Sequence, residues 1–213
     1  MADLRALGAR SVPVVSRGEA YVFAQVISDV VSFLGLEDDP SPELSPAALS
    51  ERLSRNLEAA ARFVRQMPDA HLERELPNRP RSWRVLMHHV FQIPTAFLDL
   101  EEKGEALDYA LLVAPPPDSL DSSEAIAVFG EQVRARFDTW WVKVKDEDFS
   151  GQVPTYFGGT TRHEMLERTV WHSTQHVRQV ASLLEQVGIT PDRPLGPADI
   201  EGLPLTEKVW DES

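Results

Sequence analysis

The sequence predicts a mainly α protein: a four-helix bundle with a small ββα unit at its N-terminal end. Three observations carry that prediction. Four long stretches repeat apolar residues at steps of three and four, the period of an amphipathic helix. The segments between them are rich in Pro, Gly and Ser and vary in length. Runs of β type are confined to residues 1–36.

Residues 11–15, SVPVV, and 20–24, AYVFA, read as two strands joined by a Gly-containing connection. The segment QVISDVVSFLGL follows, with Val26, Ile27, Val30, Val31 and Leu34 at helical spacing. A unit of this size buries too little surface to fold alone, so it is expected to pack on the rest of the chain or on a second copy. Residues 37–44 are acidic and Pro-rich and read as a linker. Ser45 before Pro46 makes an N-cap and first-turn pair. Behind it Leu49, Leu53, Leu57, Ala60, Val64 and Met67 share one helix face, and Pro68 ends the helix.

LPNRP reads as a loop. The second bundle helix runs from near Ser82 to about Lys103, with Gly104 as its stop and Pro94 as an expected kink or break. After the loop LLVAPPPDSLDSS, the third carries Ile126, Phe129, Val133, Phe137, Trp140, Trp141 and Val144. GQVPTYFGGTT reads as a Gly-rich, Pro-containing connection. Thr161 and Glu164 then form a capping box that opens the fourth helix, which ends at Gly188. The bundle is thus assigned to residues 45–190. Residues 191–213 form an irregular Pro-rich tail that Leu203, Leu205, Val209 and Trp210 can pin to the body.

Composition narrows the function. The chain has 213 residues, 42% of them hydrophobic, enough for a real core. Its 34 acidic against 21 basic side chains give a net charge of −13, a field that repels phosphate backbones, so no nucleic-acid partner is expected. There is no cysteine, which excludes disulfides, thiolate ligands and a cysteine nucleophile. Charges interrupt every apolar run of MADLRALGARSVPVV, which argues against a secretory leader, and no stretch approaches the ~20 apolar residues of a membrane helix. The expectation is a cytoplasmic protein with no membrane partner.

Histidines carry the chemistry. Along the fourth helix Met165, Thr169, His172, His176, Val180, Leu183 and Val187 fall on one stripe. An i, i+4 pair projects two ring nitrogens to the same side about one turn apart, a geometry that a transition-metal ion bridges. The second helix offers LMHHVFQI, where His89 belongs to the inward stripe and His88 sits at its edge, a fallback if Pro94 rotates the helix. His89, His172 and His176 therefore form a candidate three-histidine site with open positions for water or substrate. The residues alone also leave a metal-free reading, in which the imidazoles are core residues bonded to Thr169, Gln175 or backbone. His71 and His163 fall near loop or cap positions and read as surface residues.

MLERTVWHSTQHVRQVASLLEQVG resembles the last bundle helix of the DinB/YfiT-like metalloenzymes. There a histidine, a second histidine four positions on, and a glutamine three further on match His172, His176 and Gln179. SWRVLMHHV resembles that family's second helix, whose remaining ligand matches His89. The resemblance covers about residues 45–190. It implies a DinB-like four-helix bundle, a divalent transition metal such as zinc, nickel or iron, and a homodimer. Relatives with known activity include mycothiol-dependent isomerases and bacillithiol S-transferases. The N-terminal piece, LGARSVPVV with GEAYVFAQ, resembles the second half of a glutaredoxin, where a Val-Pro dipeptide presents backbone to glutathione; Val12 and Pro13 match it. The half with the cysteine motif is missing, and so is the later Gly-Asp element, so thiol–disulfide exchange is excluded. Two readings remain: a degenerate thiol-docking or dimerisation module for glutathione or another low-molecular-weight thiol, or an edge-strand Pro13 with no special role.

Three neutral imidazoles leave a metal its full double charge, which lowers the pKa of a coordinated water to ~7 and deprotonates a coordinated thiol. The expected function is thus activation of a low-molecular-weight thiol or water for transfer, isomerisation or hydrolysis on a small molecule. The alternative is a non-catalytic metal-binding or dimeric helical scaffold. Tyr156 and His163 are candidates for the mouth of the site, Gln179 for an orienting partner and Arg178 for an anionic substrate.

Overall fold

The structure, a computed structural model, describes residues 14–24, 26–37, 39–76 and 79–210. It is mainly helical with small antiparallel sheets. β1 (Val14–Arg17) and β2 (Ala20–Phe23) form a hairpin with Val14 opposite Phe23 and Arg17 opposite Ala20. Gly18 takes φ 64° at the first position of the two-residue turn, where a side chain is disfavoured. α1 (Ile27–Leu34) follows and stops at Gly35 in the left-handed region. No residue of α1 is buried, and Ile27 stays 43% exposed. The ββα unit therefore packs thinly, with Val26 and Ile27 facing a narrow gap against Trp171 and Glu164. Val12 and Pro13, the expected thiol-docking pair, lie outside the described residues.

Four long helices form the body: α2 (Pro46–Gln66), α3 (Trp83–Lys103), α5 (Ser123–Val144) and α6 (Arg162–Gln186). Between the second and third of these lies a single turn, α4 (Tyr109–Val113). Each long helix starts on a hydroxyl that accepts an orphan backbone N–H: Ser45 from Ala48, Ser82 from Val85, Ser122 from Ala125 and Thr161 from Glu164. The Glu164 carboxylate returns to the Thr161 N–H at 2.8 Å and completes the capping box.

α2 and α3 each pack against both α5 and α6 and touch one another only lightly, so the order around the bundle is α2–α5–α3–α6. Their inward stripes interlock in one core that includes Leu53, Leu57, Phe91, Phe97, Phe137 and Leu183. Gly130 sets how close α3 and α5 come, because a Cβ there would lie 2.3 Å from the Phe91 ring. α3 runs unbroken through Pro94, where the sequence predicted a kink or break. Its lost hydrogen bond is made good from another helix, as the site shows below.

Two connections, one read as a loop and one as a Gly-rich link, hold hairpins. β3 (Glu75–Leu76) pairs with β4 (Arg79–Ser82), and β5 (Gln152–Thr155) pairs with β6 (Gly158–Thr161). Both are too short to show a period of two, and their Pro and Gly residues mask the extended backbone. The tail is not irregular throughout either. It contains α7 (Pro197–Ile200), and Leu203 is buried against the bundle. Among the described residues no helix is long and apolar enough to cross a membrane.

Candidate metal centre

α3 and α6 lie side by side, and their contact is fixed at the level of the histidines by a proline. Pro94 has no N–H to give the Val90 carbonyl one turn back. The Ser173 hydroxyl of α6 donates to that carbonyl at 3.0 Å instead. One residue before Val90 is His89, and one before Ser173 is His172. The hydrogen bond that repairs α3 therefore sets the register of the two helices where the imidazoles meet.

His89, His172 and His176 come together there. Each offers a ring nitrogen, and the three nitrogens all lie within 4.8 Å of one another. Ring centroids are 4.9 Å apart for His89 and His176, 5.1 Å for His172 and His176, and 5.5 Å for His89 and His172. His89 and His176 are buried and His172 is half-buried.

The remaining contacts orient the rings. His176 Nδ1–H donates to the Gln179 Oε1 at 2.7 Å, which places the lone pair of a neutral ring on Nε2. Gln179 is itself held, since its Nε2 donates to the Val209 carbonyl of the tail at 3.0 Å. The Leu112 backbone of α4 bears on His89 and favours its protonated form. Ligating histidines characteristically bond outward as His176 does. The Nδ1 of His172 is buried without a hydrogen-bond partner, an arrangement native interiors rarely tolerate. An all-nitrogen donor set, an outward hydrogen bond on His176 and an unsatisfied nitrogen on His172 fit a divalent transition metal.

Burial favours the neutral form of two of the rings, His89 and His172. Burial, then the neighbouring His176, Arg81 and His88, pushes His89 down to about 2 against the opposing effect of the Leu112 backbone. Burial also holds His172 well below the usual imidazole range, with His176 and Arg168 next in effect. Arg81 and Arg168 thus both bear on the cluster. Arg168 lies one turn before His172 on α6 and is 8% exposed. Its guanidinium sits 3.3 Å from the Tyr156 hydroxyl and 4.9 Å from the Phe157 ring centre, and burial lowers its pKa. Tyr156, whose hydroxyl burial pushes up, packs on Tyr109 of α4 at 5.3 Å. The β5–β6 hairpin and α4, joined through Leu107 and Thr155, thus stand together beside the histidines.

The other candidates go elsewhere. His88 turns to a different face of α3 and stacks on Phe129 at 5.5 Å. Burial followed by Arg84 lowers it to about 4. His163 is not a mouth residue, since its Nε2 meets the Leu44 carbonyl at 2.8 Å. His71 is half-buried beside Trp83. Arg178 donates to the Thr206 and Glu207 carbonyls and clamps the tail. Of the partners in the metal-free reading, Thr169 bonds to Met165 and Gln175 to the tail, which leaves the backbone as that reading's remaining partner. Sequence reasoning missed the Ser173 bridge, the Leu112 backbone, Arg81 and Arg168. Only the bridge had a signal in the sequence, because an interior proline always leaves a carbonyl to be satisfied.

No protein-family model matches the chain, and no curated protein matches it.

Proposed function

We propose that the protein binds a divalent transition metal through His89, His172 and His176. It uses the ion to activate a low-molecular-weight thiol or water for transfer, isomerisation or hydrolysis on a small molecule. One observation carries this reading: three imidazole nitrogens from two helices converge within 4.8 Å. The likeness of SWRVLMHHV and of the α6 sequence to the DinB/YfiT-like metalloenzymes supports it. When bound, the ion supplies Lewis acidity that makes a neighbouring water or thiol acidic enough to ionise near neutral pH.

The chain's own residues do the rest. Gln179 holds the His176 ring in its binding tautomer, and the Leu112 backbone bears on His89. Arg81 and Arg168 add positive potential beside the cluster, so the favoured substrate or co-substrate is an anion, a thiolate or a carboxylate. The thiol is favoured by the resemblance to thiol-dependent relatives.

The test begins with protein purified without a histidine tag and analysed for metal by mass spectrometry. One equivalent of a divalent transition metal is expected, with none in His172→Ala. Equal metal in both proteins overturns the site. A panel of thiols with electrophilic and ester substrates, assayed with and without added metal, then reads the chemistry. Metal-dependent turnover supports the enzyme, and a metal-loaded protein without turnover on the panel assigns the site to structure or sensing.

A further inference from the structure

His88 is buried to 3% exposure, yet no hydrogen bond to either of its ring nitrogens is present among the described residues. It lines a cleft of about 620 Å³ on a different face of α3 from the metal-site histidines. That volume falls within the range of small-molecule pockets. His88 and Gln92 of α3 form one wall, Val128, Phe129 and Gln132 of α5 a second, and the Pro-rich segment 114–120 a third. The walls are fixed in advance. Arg84 donates to the Leu120 carbonyl at 2.7 Å and to the Pro117 carbonyl at 2.9 Å. Gln92 donates to the Leu111 carbonyl at 2.6 Å.

The lining defines the ligand. No Asp, Glu, Lys or Arg contributes to it, although such residues make up 26% of the chain. An ionic ligand would find no counter-charge in the lining, and Arg84, whose charge reaches His88, is engaged by the Leu120 and Pro117 carbonyls. The Phe129 ring and the Val128 side chain offer a surface for a flat apolar body. His88 offers the one buried imidazole not already committed, with a donor and an acceptor in its neutral form. We propose that this cleft binds a small neutral aromatic molecule bearing a hydroxyl, with the ring against Phe129 and the hydroxyl on His88. The site is separate from the metal centre, although the two share a wall: the Leu112 backbone bears on His89, and Ala114 two residues on lines the cleft.

The experiment is a nuclear magnetic resonance titration of the full chain with p-cresol, and with toluene as the partner lacking the hydroxyl. Saturable amide shifts are expected at residues 88–95 and 125–132. His88→Leu should weaken p-cresol by about tenfold, the worth of one hydrogen bond, and leave toluene unchanged. Val128→Trp alters an exposed rim position, so it tests the cleft without disturbing the core, and it should abolish binding of both. Shifts that centre on His172 and His176 instead, or p-cresol binding that neither folded variant weakens, overturn the proposal.

Discussion

The stripe of α2 and the stripe of α6 face the same core and use it differently. On α2, Leu49, Leu53, Leu57, Ala60 and Val64 succeed one another without interruption, all at 0% exposure. On α6 the same spacing passes from Met165 through Thr169, His172 and His176 before apolar residues return at Val180. Each imidazole in place of a leucine forgoes about 1.5–3 kcal/mol of apolar burial. The Nδ1 left unpaired on His172 adds a further penalty. The difference between the two stripes marks one place where the fold gives up stability, and there the rings converge.

The largest effects sharpen this contrast. His172→Ala should lose the metal altogether, read by equilibrium dialysis with zinc. His172→Leu should lose it too, yet its metal-free form should melt no lower than metal-free wild type, because an unsatisfied imidazole gives way to an apolar side chain. A clear drop in that melting temperature would mean that the ring stabilises the fold and that the contrast with α2 is false. On the other stripe, Leu57→Ala should cost about 2–5 kcal/mol of stability and leave zinc affinity unchanged.

Much of this contrast was legible in the residues. Ser45 with Pro46, Ser82 with Gly104, and Thr161 with Glu164 mark four of the helix boundaries because capping is local chemistry. The spacing of His172 and His176 placed both on one face. What stayed hidden depends on contacts distant in sequence. Pro94 reads as a break until Ser173, from another helix, is seen to bond Val90. Arg178 reads as a free cation until the tail folds back over it. The choice between His88 and His89 is likewise tertiary, since one helix turn offers both and only the neighbours α5 and α6 separate them. The hairpins at 75–82 and 152–161 escaped for a different reason, being too short to carry a periodic pattern.

A second acidic–apolar contrast lies lower on α6. Glu167 is 7% exposed, and burial, then Glu164 and Glu43, raises its carboxyl from 4.5 to about 7, opposed by a hydrogen bond from the Glu43 backbone. Arg168 lines the same gap. The sign follows from linkage. The folded state holds this proton more tightly than the unfolded state, so stability from this group is greatest below pH 4.5 and declines as pH rises toward 7. Glu167→Gln should flatten that decline and stabilise the protein above neutrality by up to about 3 kcal/mol. Denaturant titrations at several pH values read it. An unchanged slope would show that Glu167 is ionised in the folded chain, compensated within the gap.

The smallest predicted effect reaches the site through the tail. Gln179 accepts from His176 and donates to Val209, so the tail at Val209 bears on the tautomer of one imidazole of the cluster. Gln175 donates to the same Val209 carbonyl at 2.8 Å, and the Trp210 indole donates to Ser182 at 3.0 Å. Removing the amide frees the ring to rotate and to exchange its proton between nitrogens. Gln179→Ala should therefore weaken zinc by about 10–100-fold, measured by competition with a chromophoric chelator. Truncation after Leu205 keeps Gln179 but removes its carbonyl partner, and should weaken zinc by less. If truncation equals Gln179→Ala, the tail is the true anchor and Gln179 only transmits. If neither changes the affinity, the ring owes its orientation to packing alone, and the polar stretch of α6 is organised by the same forces as the apolar stripe of α2.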